Sequence, residues 1–311
     1  MKKRYLFFLF PVLFLLLYFL ISESIDIVEV SGSMNTSFDY PLGGEWNVND
    51  EVFNYTPKWF TPPVEISVHI ISDPLICGEN SYCSFFEFKD SKGNVIGTHV
   101  ADDVMWIGYF YFKEGFIVYS GDTDGIEATA FSYDLKVKYW KRIYEKYLDY
   151  TLLTLLASYA DKNYAFFFTA SRHLHTNEVT HFCLYYIDFS TGSLGKICDI
   201  NSHSLIGATI FQDKIYIATP DGLFLYTKSG NCKEWIKVKL SKGVFMYANE
   251  KYIAVAYEST VCVFTSELSG KRCVDVGEDI NALKLEGEYL IIRTDNRTKK
   301  FHIVQRGFFN E

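Results

Sequence analysis

The sequence predicts an all-β chain: six repeated, four-stranded antiparallel units behind one N-terminal membrane-targeting segment. Three observations carry this. An unbroken apolar run spans Tyr5 to Ile21. β-Rich runs then recur, and those starting at Asp213, Glu250 and Gly287 lie 37 residues apart in both steps. Aromatic residues form 18% of the 311-residue chain, and flat rings suit a pleated, half-buried surface.

The N-terminal segment has Lys2, Lys3 and Arg4 before the apolar run and no charge after it until Glu23. Positive residues on that side alone place the N-terminus inside and the remainder outside. The run is long enough for one transmembrane helix, and Pro11 falls in its first turns, where it is tolerated. It is also only slightly longer than the core of a cleaved signal peptide, with Ser22 and Ser24 as small residues for a cut. Residues 1–24 therefore read as a signal anchor or a signal peptide, the anchor being preferred. Both readings export residues 25–311. The expected product is a domain outside the cytoplasm, held to the membrane through residues 5–21, or secreted after cleavage.

Without Lys2, Lys3 and Arg4, 27 basic residues face 38 acidic ones, so the formal charge moves from −8 to −11. That balance argues against nucleic acid as a partner, which calls for a basic face. A hydrophobic fraction of 49% excludes a disordered chain.

Seven cysteines are compatible with export, where disulfides persist. Cys183 and Cys198 flank a strand–turn–strand pattern, as do Cys262 and Cys273, and Cys77 and Cys83 would close a small loop. Neighbouring antiparallel strands bring such residues within bridging distance. Three local disulfides are expected, with Cys232 left over. No Cys-x-x-Cys is present to suggest a zinc ribbon or a thioredoxin-like centre. Asn35, Asn54 and Asn296 begin N-x-S/T triplets, which are glycan acceptors on an exported chain.

Each repeated unit has one internal order. A first strand (SLIGATIF at 204–211) leads through a tight turn to the β-rich run, such as DKIYIAT at 213 or DKNYAFFFT at 161. KEGFIVYSG at 113 and VEISVHIIS at 64 are earlier examples. A third strand follows, such as GLFLYT at 222–227, then a polar turn, such as DSKGN at 90–94 or STGS at 190–193. A fourth strand, such as EWIKVKL at 234–240, ends the unit. Such alternation of strands and turn signals argues for antiparallel sheets.

The segments YTKSGNCKEWIKV, IDFSTGSLGKICDI and FKDSKGNVIGTHV carry a third strand, an Asp/Ser-x-x-Gly-type turn and an apolar or Trp-bearing fourth strand. In this they resemble degenerate blades of β-propellers of the WD40-like and PQQ-like group, over about residues 60–306. The resemblance implies a six-bladed β-propeller of four-stranded antiparallel blades, seven being the alternative count, after one N-terminal transmembrane helix. The last unit offers only NALKLEG, EYLIIRT and KKFHIVQ. A ring leaves no long open edge, so a strand within Ile25–Tyr40, foremost IDIVEV, should supply the fourth.

Residues 140–159 dissent. Ile143, Tyr144, Tyr147, Leu148, Leu152, Leu155 and Leu156 fall at helical spacing. The repeat instead makes Thr151–Ser158 a first strand, with a short helical turn near Ile143–Leu148. The repeat register is preferred.

Candidate chemistry is sparse. If a hairpin turns at Thr176–Glu178, His173 faces His181 and His175 shares their face, a trio able to bind Zn²⁺. No other cofactor is expected. Asp122-Thr123-Asp124-Gly125 resembles part of a calcium loop but lacks its terminal Glu, so a hairpin turn is preferred. Asp102 and Asp103 read as paired carboxylates or as a solvated loop. No nucleophile elbow, phosphate loop or dinucleotide fingerprint occurs.

The preferred function is a membrane-anchored extracytoplasmic binding, scaffold or adhesion module with a protein or glycan ligand. Its loops at Asp73–Ser84 and Ser171–Val179 would form the binding surface. The alternative is an exported hydrolase or lyase acting on cell-envelope polysaccharide. A quinone-dependent dehydrogenase, allowed by the PQQ-like resemblance, ranks last.

Overall fold

A computed structural model describes residues 24–30, 61–78, 82–144, 151–240 and 245–306. The apolar run 5–21, Asn35 and Asn54 lie outside these residues. Among the described residues no helix is long and apolar enough to cross a membrane.

The structure is all-β. Strand β1 is Ser24–Glu29. The first sheet holds β2 (Glu65–Ile71), β3 (Cys83–Lys89) and β4 (Val95–Ala101), with a one-turn helix α1 (Pro74–Cys77) between the first two. The second holds β5 (Trp106–Phe112), β6 (Gly115–Asp122), β7 (Gly125–Ser132) and β8 (Val137–Ile143). The third holds β9 (Thr151–Ala160), β10 (Tyr164–His173), β11 (Val179–Asp188) and β12 (Leu194–Cys198). The fourth holds β13 (Gly207–Phe211), β14 (Lys214–Thr219), β15 (Gly222–Thr227) and β16 (Cys232–Lys237). The fifth holds β17 (Phe245–Ala248), β18 (Tyr252–Tyr257), β19 (Thr260–Thr265) and β20 (Lys271–Asp275). The sixth holds β21 (Ile280–Glu286), β22 (Tyr289–Thr294) and β23 (Thr298–Arg306), with β1 beside β23.

Within each sheet, strands follow one another in chain order, the meander of a propeller blade. Five sheets have four strands and the first has three among the described residues. In the sixth sheet β1 runs antiparallel to β23, with Ser24 opposite Arg306 and Glu29 opposite Phe301. The N-terminal strand thus supplies the fourth strand that the last repeat lacks. Residues 151–160 form a strand despite their helical spacing. Of the short helical turn expected near Ile143–Leu148, Ile143 instead ends β8, and residues 145–150 lie outside the described set.

The chain divides into two compact units, residues 37–246 and residues 1–36 with 247–311. In the larger, consecutive sheets pack face to face. Alternation along β10 shows how one strand serves two interfaces. Phe167 points to the second sheet, beside Phe110, Ile117 and Tyr119. Phe166 and Phe168 point to the fourth, beside Ile210, Ile215 and Ile217. Successive strand residues face opposite ways, so a strand covered on both sides must be apolar throughout. That is the origin of AFFFTA, and likewise of IYIA in β14. The outermost strands are covered on one side only, and β8 and β20 are mostly exposed.

Polar contacts fix the stacking. Tyr119 Oη lies 2.7 Å from Ser158 Oγ, joining the second and third sheets. Gly108 makes this contact possible: a Cβ there would strike the Tyr119 ring. Asp161, buried at the turn into β10, accepts from Asn163 N and Tyr164 N locally. It also accepts from Thr209 Oγ1 and Ile210 N of the fourth sheet. In the smaller unit the two sheets meet through Ile280 N to Glu258 O at 2.8 Å and Lys251 Nζ to Glu288 Oε1 at 2.8 Å.

Candidate functional site

Antiparallel order sorts the connections in each sheet. Turns after the first and third strands lie at one end. Turns after the second strand, the β2–β3 connection of the three-stranded first sheet, and links to the next sheet lie at the other. In the larger unit this second end gathers residues 72–78, 82, 102–105, 123–124, 174–178, 199–206 and 220–221. The described connecting residues of both loops expected to bind, Asp73–Ser84 and Ser171–Val179, fall there.

The first of them is stapled outward. Asp73 Oδ1 accepts from Leu75 N at 2.9 Å, and Asp73 O accepts from Ile76 N and Cys77 N, with Pro74 opening the turn. Cys77 is buried and bonded to Cys83 at the start of β3. Two residues make about 200° around a helix, so seating Cys77 inward turns Leu75 outward. Leu75 is 95% exposed, and Ile76, Tyr82, Ile70 and Met105 are also exposed apolar side chains at this end.

The second feature is acidic. Asp103 sits in the link after β4, its main-chain oxygen accepting from Ser84 Oγ. Burial pushes its carboxyl up to about 6, with further upward pressure from Asp122, Glu127 and Asp102, opposed by Arg142. Glu127 and Arg142 pair at 3.6 Å on adjacent strands. Ser120 lies directly opposite Glu127 on β6; its hydroxyl is buried and has no hydrogen-bond partner. Asp102 and Asp103 are thus not an isolated pair: β6, β7 and β8 bring Asp122, Glu127 and Arg142 near Asp103. Asp122 accepts from Asp124 N at 2.7 Å and pairs with Gly125 across the β6–β7 turn, which is a hairpin turn.

The histidines do not form the expected trio. The register shifts between Ser171 and Arg172, so His181 faces Ser171, not His173. The hairpin turns at 174–177, earlier than expected, so Arg172 faces Val179 and His173 N donates to Glu178 O; a one-residue bulge then sets His181 opposite Ser171. His173 Nδ1 lies within 3.4 Å of the His175 and Thr176 amides, capping its own turn. His181 instead lies with Cys183 and Cys198, their ligand-type atoms all within 4.8 Å of one another. The His-x-Cys spacing at 181–183 was the signal for this in the sequence.

The disulfides are Cys77–Cys83, Cys183–Cys198 and Cys262–Cys273; Cys232, outside any disulfide, is exposed. Asn296 is exposed in the β22–β23 turn, its amide donating to Glu278 at 3.2 Å.

No protein-family model matches the chain, and no curated protein matches it in sequence. Solved structures with a similar backbone include BamB from Moraxella catarrhalis, 9% identical, with a TM-score of 0.36 over 76% of this chain and 82% of that one. Another is Hsv2p from Kluyveromyces lactis, 11% identical, with a TM-score of 0.40 over 72% of this chain and 81% of that one. A third is a protein of unknown function from Bacteroides caccae, 11% identical, with a TM-score of 0.40 over 74% and 82% of the two chains. This chain's own strand order, not these likenesses, establishes its six antiparallel sheets.

Proposed function

We propose that the chain is a membrane-anchored extracytoplasmic β-propeller of six blades that binds a protein partner through the loop end of its first blades. The stapled loop carries this reading. A disulfide and an Asp73 cap hold Leu75, Ile76 and Tyr82 out in water, an arrangement that costs solvation and gains nothing for folding. Pre-ordered apolar side chains of this kind make low-entropy anchors for an interface.

Topology supports the orientation. β1 starts three residues after the apolar run ends at Ile21. Its N-terminal end lies opposite the end of the sixth sheet that carries the 295–297 turn. The anchor therefore leaves the sixth sheet at the end away from that turn. Three disulfides suit that compartment. Asn35, Asn54 and Asn296 would carry its glycans.

The test is a photo-crosslinking residue placed at Leu75 in intact cells, with Trp140 on the outer strand β8 as the comparison site. The reading expects a discrete adduct from position 75 alone, lost in Ile76→Asp. Equal labelling from both sites would overturn it.

One observation favours a second reading, an exported hydrolase or lyase acting on polysaccharide. Asp103, with its carboxyl near 6, would serve as proton donor beside the second carboxyl of Asp122 or Glu127. Turnover of envelope glycans lost in Asp103→Asn with the fold intact would support it.

A further inference from the structure

We propose that the third sheet holds a redox-gated Zn²⁺ site, in which His181 joins the thiolates of Cys183 and Cys198 once a small dithiol has opened their bridge.

Two disulfides in this chain each join directly opposed residues of a third and a fourth strand. Cys183 faces Cys198 between the third and fourth strands of the third sheet. Cys262 faces Cys273 between the third and fourth strands of the fifth. They differ two residues upstream, on the same strand face: His181 precedes Cys183, and Thr260 precedes Cys262. The imidazole is therefore an addition to a shared scaffold. Among the described residues, His181, Cys183 and Cys198 are the one group whose ligand-type atoms lie mutually within 4.8 Å.

The chemistry suits a borderline-soft cation. Two thiolates and one imidazole supply three of zinc's four preferred ligands, and water supplies the fourth. Thr180 Oγ1 lies 3.1 Å from His181 Nδ1, a contact that orients the ring as an outer-shell partner does. The strands hold the sulfurs on one rung whether bridged or not, so little chain ordering remains to be done on binding. Cys198 is half-exposed, which gives a reductant its approach, while Cys183 is buried against the second sheet.

The steps balance. A dithiol R(SH)₂ passes two electrons and two protons to the bridge. The Cys183–Cys198 S–S bond breaks, a cyclic disulfide of R forms, and two protein thiols result. Zn²⁺ then displaces both thiol protons to solvent and takes a lone pair from the His181 imidazole. With the bridge closed, the sulfurs offer no thiolate and the site is shut.

The experiment uses the exported chain with Co²⁺ as spectroscopic probe and Zn²⁺ in chelator competition, before and after reduction by a phosphine that does not bind metal. Far-ultraviolet circular dichroism checks that the reduced chain stays folded. The proposal expects one metal per chain after reduction, a thiolate-to-cobalt charge-transfer band, and none with the bridge intact. His181→Ala, which removes no bridge, should weaken Zn²⁺ at least about tenfold. Cys183→Ser with Cys198→Ser should abolish the band, and Cys262→Ser with Cys273→Ser should leave it. Binding that persists undiminished in His181→Ala, equal binding to the bridged chain, or a folded, reduced chain that takes up no metal would each overturn the site.

Discussion

Ile27 lies directly opposite Ile303, so the first described strand of the chain closes the edge of the last. Ile303 is buried. The sixth sheet therefore couples both ends of the chain, separated by most of its length.

Removing that coupling should be costly. Deletion from Lys299 removes β23 and strands β1, and it should abolish the single cooperative melting transition. Ile303→Ala should cost about 2–5 kcal/mol, the usual range for a buried aliphatic, read from the urea midpoint. A truncated chain that melts like the full one would contradict the closure.

Asp161 should give the chain an unusual pH response. Burial pushes its carboxyl up to about 6 from an ordinary 3.8, against the pull of its hydrogen-bond donors. The folded state then keeps a proton that the unfolded state has released. Its contribution is full below about pH 4 and falls as pH rises towards 6. Asp161→Asn should flatten stability over that window, measured by urea titration at each pH. Asp161→Ala, which orphans the Thr209 hydroxyl and the Ile210 amide, should cost about 3 kcal/mol below pH 4 and less as pH rises towards 6.

Neighbouring residues on β6 should respond with opposite signs. Tyr119→Phe breaks the contact with Ser158 and leaves a buried hydroxyl alone, at about 1 kcal/mol. Ser120 has no partner to lose, so Ser120→Ala should be neutral or stabilising by up to about 1 kcal/mol. Thermal melting of the two variants side by side decides this.

Thiol accounting should give one reactive group. In denatured, unreduced protein only Cys232 should titrate, and peptide mapping should return the three local bridges. Serine pairs replacing Cys183 and Cys198, or Cys262 and Cys273, should each cost about 3 kcal/mol, as expected for short closed loops.

Much of the fold was legible because strands buried on both faces leave a plain trace. AFFFTA and YIAVA are continuous apolar runs bounded by polar turns, and their recurrence set the register of the sheets. Helical spacing at 140–159 was misleading for the same reason: a doubly covered strand such as β9 carries apolar residues at most positions, including those of a helix. Repeat length decided between them. The disulfides were legible too, since bridges across one hairpin need only local spacing.

The sites were less legible, because they depend on register to one residue and on neighbours from other strands. A turn at 174–177 sets His173 against Glu178, while His181, opposite Ser171, lies beside Cys183 and Cys198. Nothing local joins Asp103 to Glu127 and Arg142; the packing of the first sheet on the second does that, and desolvation then raises the Asp103 carboxyl. The sequence by itself determined the strands, their order, the bridges and the missing strand at the N-terminus, all written in patterns of period two and in repeat spacing. Only the tertiary structure decided which side chains share a face, which are stripped of water, and which apolar residues remain outside, because those depend on sheets brought together across large separations in the chain.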